Sequence, residues 1–114
     1  MPDPSTAMIE RFEAMLAQGK DSPMLRYGLG LEYAKRDEHD RAVEHFKSAV
    51  ELDPGYSAAW KVYGRSLQAL ERWAEAAAVY EKGIDVAQGK GDRQAAKEMG
   101  VFLRRCRKAL GESE

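Results

Sequence analysis

Two histidines, one cysteine and a surplus of carboxylates are the groups in this 114-residue chain that could do chemistry. His39 and His45 lie six positions apart, a spacing that turns them to different faces of a helix. Packing or surface roles are therefore expected for both, in preference to metal binding or catalysis. Cys106 falls in a helical apolar stripe with Met99, Phe102, Leu103 and Leu110, where a buried, inert thiol is expected. The stretch from Gly83 to Lys90 superficially suggests a phosphate-binding loop. However, five residues separate Gly83 from Gly89 where four are needed, Gly91 stands where Ser or Thr is required, and a helix precedes it where a strand is needed. Glu71, Glu75, Glu81 and Asp85 are interleaved with Arg and Lys, the pattern of solvated helix faces. No catalytic, cofactor-binding or metal-binding residue is assigned, and a non-enzyme is expected.

The elements behind these residues are helices. Ala, Glu, Leu, Arg and Lys make up 56 of the 114 residues, while Val, Ile and Thr together number only nine. Such a balance favours an all-α fold and all but excludes a sheet-based enzyme. Apolar stripes at helical spacing fall in six segments. Met8, Phe12, Met15 and Leu16 form the first; Leu25, Leu29, Tyr33 and Ala34 the second; Ala42, Val43, Phe46, Ala49 and Val50 the third. Trp60, Tyr63, Leu67 and Leu70 form the fourth; Ala76, Val79, Tyr80 and Ile84 the fifth; the Cys106 stripe is the sixth. Gly19-Lys20-Asp21, Asp53-Pro54-Gly55 and Gly89-Lys90-Gly91 are breaks, while Ser22-Pro23 and Asp92 read as helix starts.

Charge is near balance, with 18 basic and 19 acidic residues, which removes the simplest nucleic-acid or membrane reading. The distribution is uneven. Residues 1–89 hold 11 basic and 15 acidic groups, whereas 90–108 hold seven basic and two acidic. The cluster fits a helix C-terminus, where the macrodipole favours cations, and a soluble capping element. Docking of an acidic partner is the secondary reading. Nucleic acid is disfavoured, because no aromatic interleaving accompanies the basic residues. One cysteine permits no intramolecular disulfide and fits a reducing compartment. With no secretory leader pattern and no apolar run of membrane-spanning length, a cytoplasmic location is expected.

A period of 34 runs through the chain. It relates Gly30 to Gly64, Ala42 to Ala76, and Phe12 to Phe46 to Tyr80. A small residue, an Ala and an aromatic recurring together at one period mark stacked repeats. A helical Gly costs about 1 kcal/mol relative to Ala. Close approach of a neighbouring helix is expected to offset this at Gly30, Gly64 and Gly100.

These residues resemble the tetratricopeptide repeat, and the chain is similar to its small bacterial-type members. The pattern W-x2-L-G-x2-Y, A-x3-F, P appears as Arg26-x2-Leu29-Gly30-x2-Tyr33, Ala42-x3-Phe46, Pro54. It recurs as Trp60-x2-Tyr63-Gly64-x2-Leu67, Ala76-x3-Tyr80. Gln88 then occupies the Pro position, which suggests a longer helix there. The resemblance implies a right-handed α-α superhelix of about six antiparallel helices. Residues 1–21 would form a helix like the second half of a repeat, 22–55 and 56–90 two repeats, and 91–114 a capping helix and tail.

The resemblance further implies a protein-binding adaptor or scaffold whose groove is lined by the first helix of each repeat. Its candidate groove residues are Met24, Tyr27 and Leu31, then Lys61, Arg65 and Gln68, then Lys97, Val101 and Arg104. Tyr27 and Leu31 would meet apolar anchors of a peptide or helix, and Lys61, Arg65 and Arg104 its acidic groups. Alternatively, the chain's own first helix covers Tyr27 and Leu31. Co-chaperone members clamp a terminal carboxylate with Lys and Asn. Here the matching positions are Tyr27, Leu31, Val62, Gln94 and Glu98, so chaperone tails are not the expected partner. A homo-oligomer formed through the terminal helices is the alternative class, and no cofactor is implied.

Overall fold

The computed structural model describes residues 3–112, and its elements are six helices, with no strand among the described residues. They are α1 (Pro4–Ala17), α2 (Pro23–Lys35), α3 (His39–Leu52), α4 (Ser57–Ala69), α5 (Trp73–Gly89) and α6 (Arg93–Ala109). Local chemistry sets several boundaries. The Ser22 hydroxyl accepts from the Leu25 amide ahead of Pro23, and the Asp92 carboxylate accepts from the Ala95 amide. Each bond satisfies an amide that the first helical turn leaves unpaired. With Gln88 in place of Pro, α5 runs to 17 residues where α3 has 14. The Gly83–Lys90 stretch thus lies largely inside a helix, which accounts for its failure as a phosphate loop.

Consecutive helices pack against each other, and the backbones of α2 and α4 and of α4 and α6 also come close, whereas those of α1, α3 and α5 stay apart, α1 meeting α3 only through side chains such as Glu13 and His45. The result is an inner layer of α2, α4 and α6 backed by an outer layer of α1, α3 and α5. It forms a right-handed superhelical stack about 47 Å long and 19 Å thick. No described helix is long and apolar enough to cross a membrane.

Phe46 and Tyr80, both fully enclosed, fill the layers between inner and outer helices. A Cβ built on Gly30 would lie within 3.0 Å of three Phe46 ring carbons, and one on Gly64 would meet the Tyr80 ring equally closely. The ring faces occupy the volume that a side chain would need, which offsets the helix cost of Gly. Ala42 and Ala76 are likewise completely buried.

Gly100 departs from the expectation. A Cβ there meets nothing within 4 Å, because no described helix follows α6 to lay an aromatic ring on it. Only the propensity cost remains. Gly100→Ala is therefore expected to raise stability by about 0.5–1 kcal/mol in urea unfolding, whereas Ala at Gly30 or Gly64 destabilises.

Candidate functional site

Between α2 and α4, on the inner layer, a recess of about 450 Å³ opens to solvent. Leu31 and Ala34 form one wall, Val62 and Ala69 the other, and the enclosed Phe46 ring of α3 lies beneath them. Leu31 and Ala34 lie three apart, as do Val62 and Arg65, so each helix turns one stripe to the opening. His39 closes one end, its Nδ1 3.1 Å from the Ser66 hydroxyl, and Lys35 and Arg65 stand at the rim. The first helix contributes no side chain to this lining.

A second, smaller recess of about 290 Å³ lies between α4 and α6 and shares Arg65 and Ala69 with the first, so the two run together along the inner face. Gln68, Trp73, Phe102 and Arg105 complete it. Trp73 repeats His39 one period on, and Phe102, tenth in its helix, stands where Ser66 stands in α4.

The cations differ in what they face. Lys35 Nζ is 2.9 Å from a Glu32 carboxylate oxygen, and Lys61 Nζ is 3.4 Å from one of Glu98. Arg65 and Arg105 instead lie over the Phe102 ring, 5.4 and 5.7 Å from its centroid. Neither joins any ion pair among the described residues.

The nine sequence-predicted residues are therefore only partly together. Leu31 and Arg65 share the larger recess, and Arg65 and Gln68 the smaller. Tyr27 packs on Phe46 and Tyr56, with ring centroids 6.3 and 5.0 Å away, so it belongs to the seam between α2, α3 and the α3–α4 turn. Among α1 side chains it is Phe12 that approaches α2 here, beside Gly28. Met24 is 77% exposed and borders a separate recess with Pro23, Asp53 and Tyr56. Lys97 faces the α5–α6 turn with Gln88 and Arg93. Lys61, expected to be available to a partner's acid, is engaged by Glu98, and Gln68 accepts a hydrogen bond from the Tyr80 hydroxyl. Val101 is half-buried and Arg104 exposed, and neither lines either recess; Phe102 and Arg105 do. Phe102 and Arg105 are the tenth and thirteenth residues of α6, the positions that Ser66 and Ala69 hold in α4, where they line the larger recess.

His45 belongs to a polar cluster at the α1–α2–α3 junction. Its ring stacks on Tyr33 at 5.5 Å, Nδ1 is 3.2 Å from an Arg26 guanidinium nitrogen, and Nε2 is 3.6 Å from a Glu13 carboxylate oxygen. Burial pushes its pKa below the ordinary histidine value, Glu13 partly opposing and Arg26 assisting. The fold thus favours the neutral imidazole. Its stabilising effect is complete above the unfolded-state pKa near 6.5 and is lost as pH falls through the lower folded-state value. Thermal unfolding midpoints are expected to drop as pH falls below about 6.5, and His45→Gln to flatten that drop. The Asp21 carboxyl, held low by its hydrogen bonds from Arg26, titrates below this window. Cys106 is completely enclosed, and burial raises its thiol pKa, which suppresses the thiolate. No metal-holding group of three or more His, Cys, Asp or Glu occurs among the described residues.

The family model of the tetratricopeptide repeat matches residues 33–99. A TPR repeat-containing protein of Pseudomonas aeruginosa is 47% identical over 102 residues, 90% of this chain and 97% of that one. A Bordetella parapertussis protein of known solution structure shares 44% identity with a TM-score of 0.76, covering 95% of this chain and 90% of its own. The first TPR of Spaghetti (RPAP3), whose structure contains the HSP90 peptide SRMEEVD, has the same fold at 21% identity. Its TM-score is 0.69, over 95% of this chain and 96% of that one. With a family model matched over more than half its length and a 47% identical relative matched nearly end to end, this chain belongs to the tetratricopeptide repeat family.

Proposed function

We propose that the chain is a non-catalytic adaptor that holds a segment of a partner protein along its inner face, with an apolar side chain seated between α2 and α4. The carrying observation is the open recess walled by Leu31, Ala34, Val62 and Ala69, apolar surface that the fold's own helices leave uncovered. The fold relative with a bound HSP90 peptide supports a peptide as occupant. Tyr27, Leu31, Val62, Gln94 and Glu98 lack the Lys and Asn of the carboxylate clamp, so the occupant differs from a chaperone tail.

Ala69 is exposed and borders both recesses, so Ala69→Trp fills them without touching the core. Peptides selected from a random display library on the full chain are expected to lose at least about tenfold in affinity on this variant, with melting unchanged. Equal binding to both proteins would contradict the groove reading.

A second reading, self-association through α6, draws on the open space over Gly100 and on Leu110, which is 44% exposed. Sedimentation over a wide concentration range tests it: a concentration-independent monomer rejects it.

A further inference from the structure

We infer that the recess beside the apolar socket is an acid-reading subsite, in which Arg65 and Arg105, held over Phe102, receive an Asp or Glu of the partner segment. This rests on the groove reading and specifies the partner's chemistry: an apolar side chain followed closely by a carboxylate.

The cations of the inner face are not equivalent. Lys35 and Lys61 are engaged by Glu32 and Glu98, whereas Arg65 and Arg105 share an aromatic ring and have no carboxylate among the described residues. A guanidinium over an aromatic face keeps its N–H donors free at the edge, because the contact uses the π-face of the cation. Such a group is pre-oriented, so less side-chain entropy is lost when a carboxylate arrives. Phe102 is held in turn by Tyr80, with ring centroids 5.7 Å apart. It therefore acts as a positioning residue for both arginines.

Location ties the two halves of the motif together. Arg65 and Ala69 line both recesses, so a segment whose apolar side chain sits between Leu31 and Val62 passes Arg65 before reaching Arg105. Seven cations against two acids in residues 90–108 give that end of the groove the complementary field. A protein segment fits better than nucleic acid, since the adjoining socket is apolar and residues 1–89 carry four more acidic than basic groups, which repels a long polyanion.

The test uses the peptides selected on the full chain. An Asp or Glu is expected beside an apolar residue among them. Arg105→Gln or Arg65→Gln should weaken such a peptide about fivefold at low salt, with a smaller effect at high salt. Replacing its acid by the amide should weaken binding to the wild type similarly and make binding insensitive to Arg105→Gln. Phe102→Leu should weaken the acidic peptide and not its amide counterpart, a difference that a merely structural role would not produce. Peptides blocked by Ala69→Trp but lacking any acidic preference would overturn this inference and leave the groove reading intact. Peptides indifferent to Ala69→Trp would overturn both. Tighter, Arg105-dependent binding of a labelled oligothymidylate would overturn the protein-acid assignment in favour of a polyanion.

Discussion

Gly64→Leu is expected to destabilise the protein by about 3 kcal/mol in urea unfolding. The Tyr80 ring already occupies the position of the first side-chain carbon, and Tyr80 is completely enclosed, with its hydroxyl bonded to Gln68. The ring is packed on all sides, so α4 and α5 must separate and open the layer between them. Helix propensity returns only about 1 kcal/mol of that cost. Gly100→Leu is the matched control: same residue, same register position, but open space overhead, so its stability should equal or exceed the wild type. A Gly64→Leu protein that melts like the wild type would refute the packing described for both repeats.

Phe46→Ala is expected to cost about 3–5 kcal/mol, a large share of the 5–15 kcal/mol typical of a domain. Phe46 has no exposed surface, and with Ile9, Leu29, Tyr33 and Ala42 it forms the buried cluster that joins α1, α2 and α3. The glycine opposite it cannot fill the space left behind. Phe46 lies directly beneath the socket, so its loss also removes the support of the Leu31 and Val62 walls, and at temperatures where the variant remains folded its peptide affinity should fall as well. Chemical denaturation gives the first effect, and titration of a selected peptide the second. Stability within about 1 kcal/mol of the wild type would show that the cluster collapses to fill the cavity.

These two sites show what could be read from residues alone. The period of 34 left a trace that marked Gly30, Gly64, Phe46 and Tyr80 as repeat positions, but the expectation was of a closely approaching helix, and it is the Phe46 and Tyr80 rings that lie on the two glycines. The helix starts at Ser22-Pro23 and Asp92 were equally legible, since capping is chemistry within three residues. Gly100 carried the same trace without the contact: periodicity reports a position in a repeat, not the presence of the next helix. Asp37 and Glu71, which close α2 and α4 with φ of 57° and 58°, also repeat at 34; Asp is a type that tolerates the left-handed region, whereas nothing in Glu announces it.

The groove was less legible than the fold. Its candidate residues came from family positions, and a small rotation of one helix changes which side chains open onto a shallow recess. In α6, Phe102 and Arg105 line the recess while Val101 and Arg104 do not. The pairing of Lys61 was not legible either: its partner Glu98 lies 37 residues away, and only the stacking of α4 on α6 brings them together. A signal for Phe102 existed in the sequence, since it stands between Val101 and Leu103 and one helix side cannot bury all three.

The reading as a groove-binding adaptor is tested most directly by mapping amide chemical shifts of the labelled full chain while a selected peptide is added. The expected perturbations cluster at Leu31, Ala34, Val62, Arg65 and Ala69 and extend to Phe102 and Arg105. Shifts confined to the outward faces of α3 and α5, with those inner residues unmoved, would contradict it.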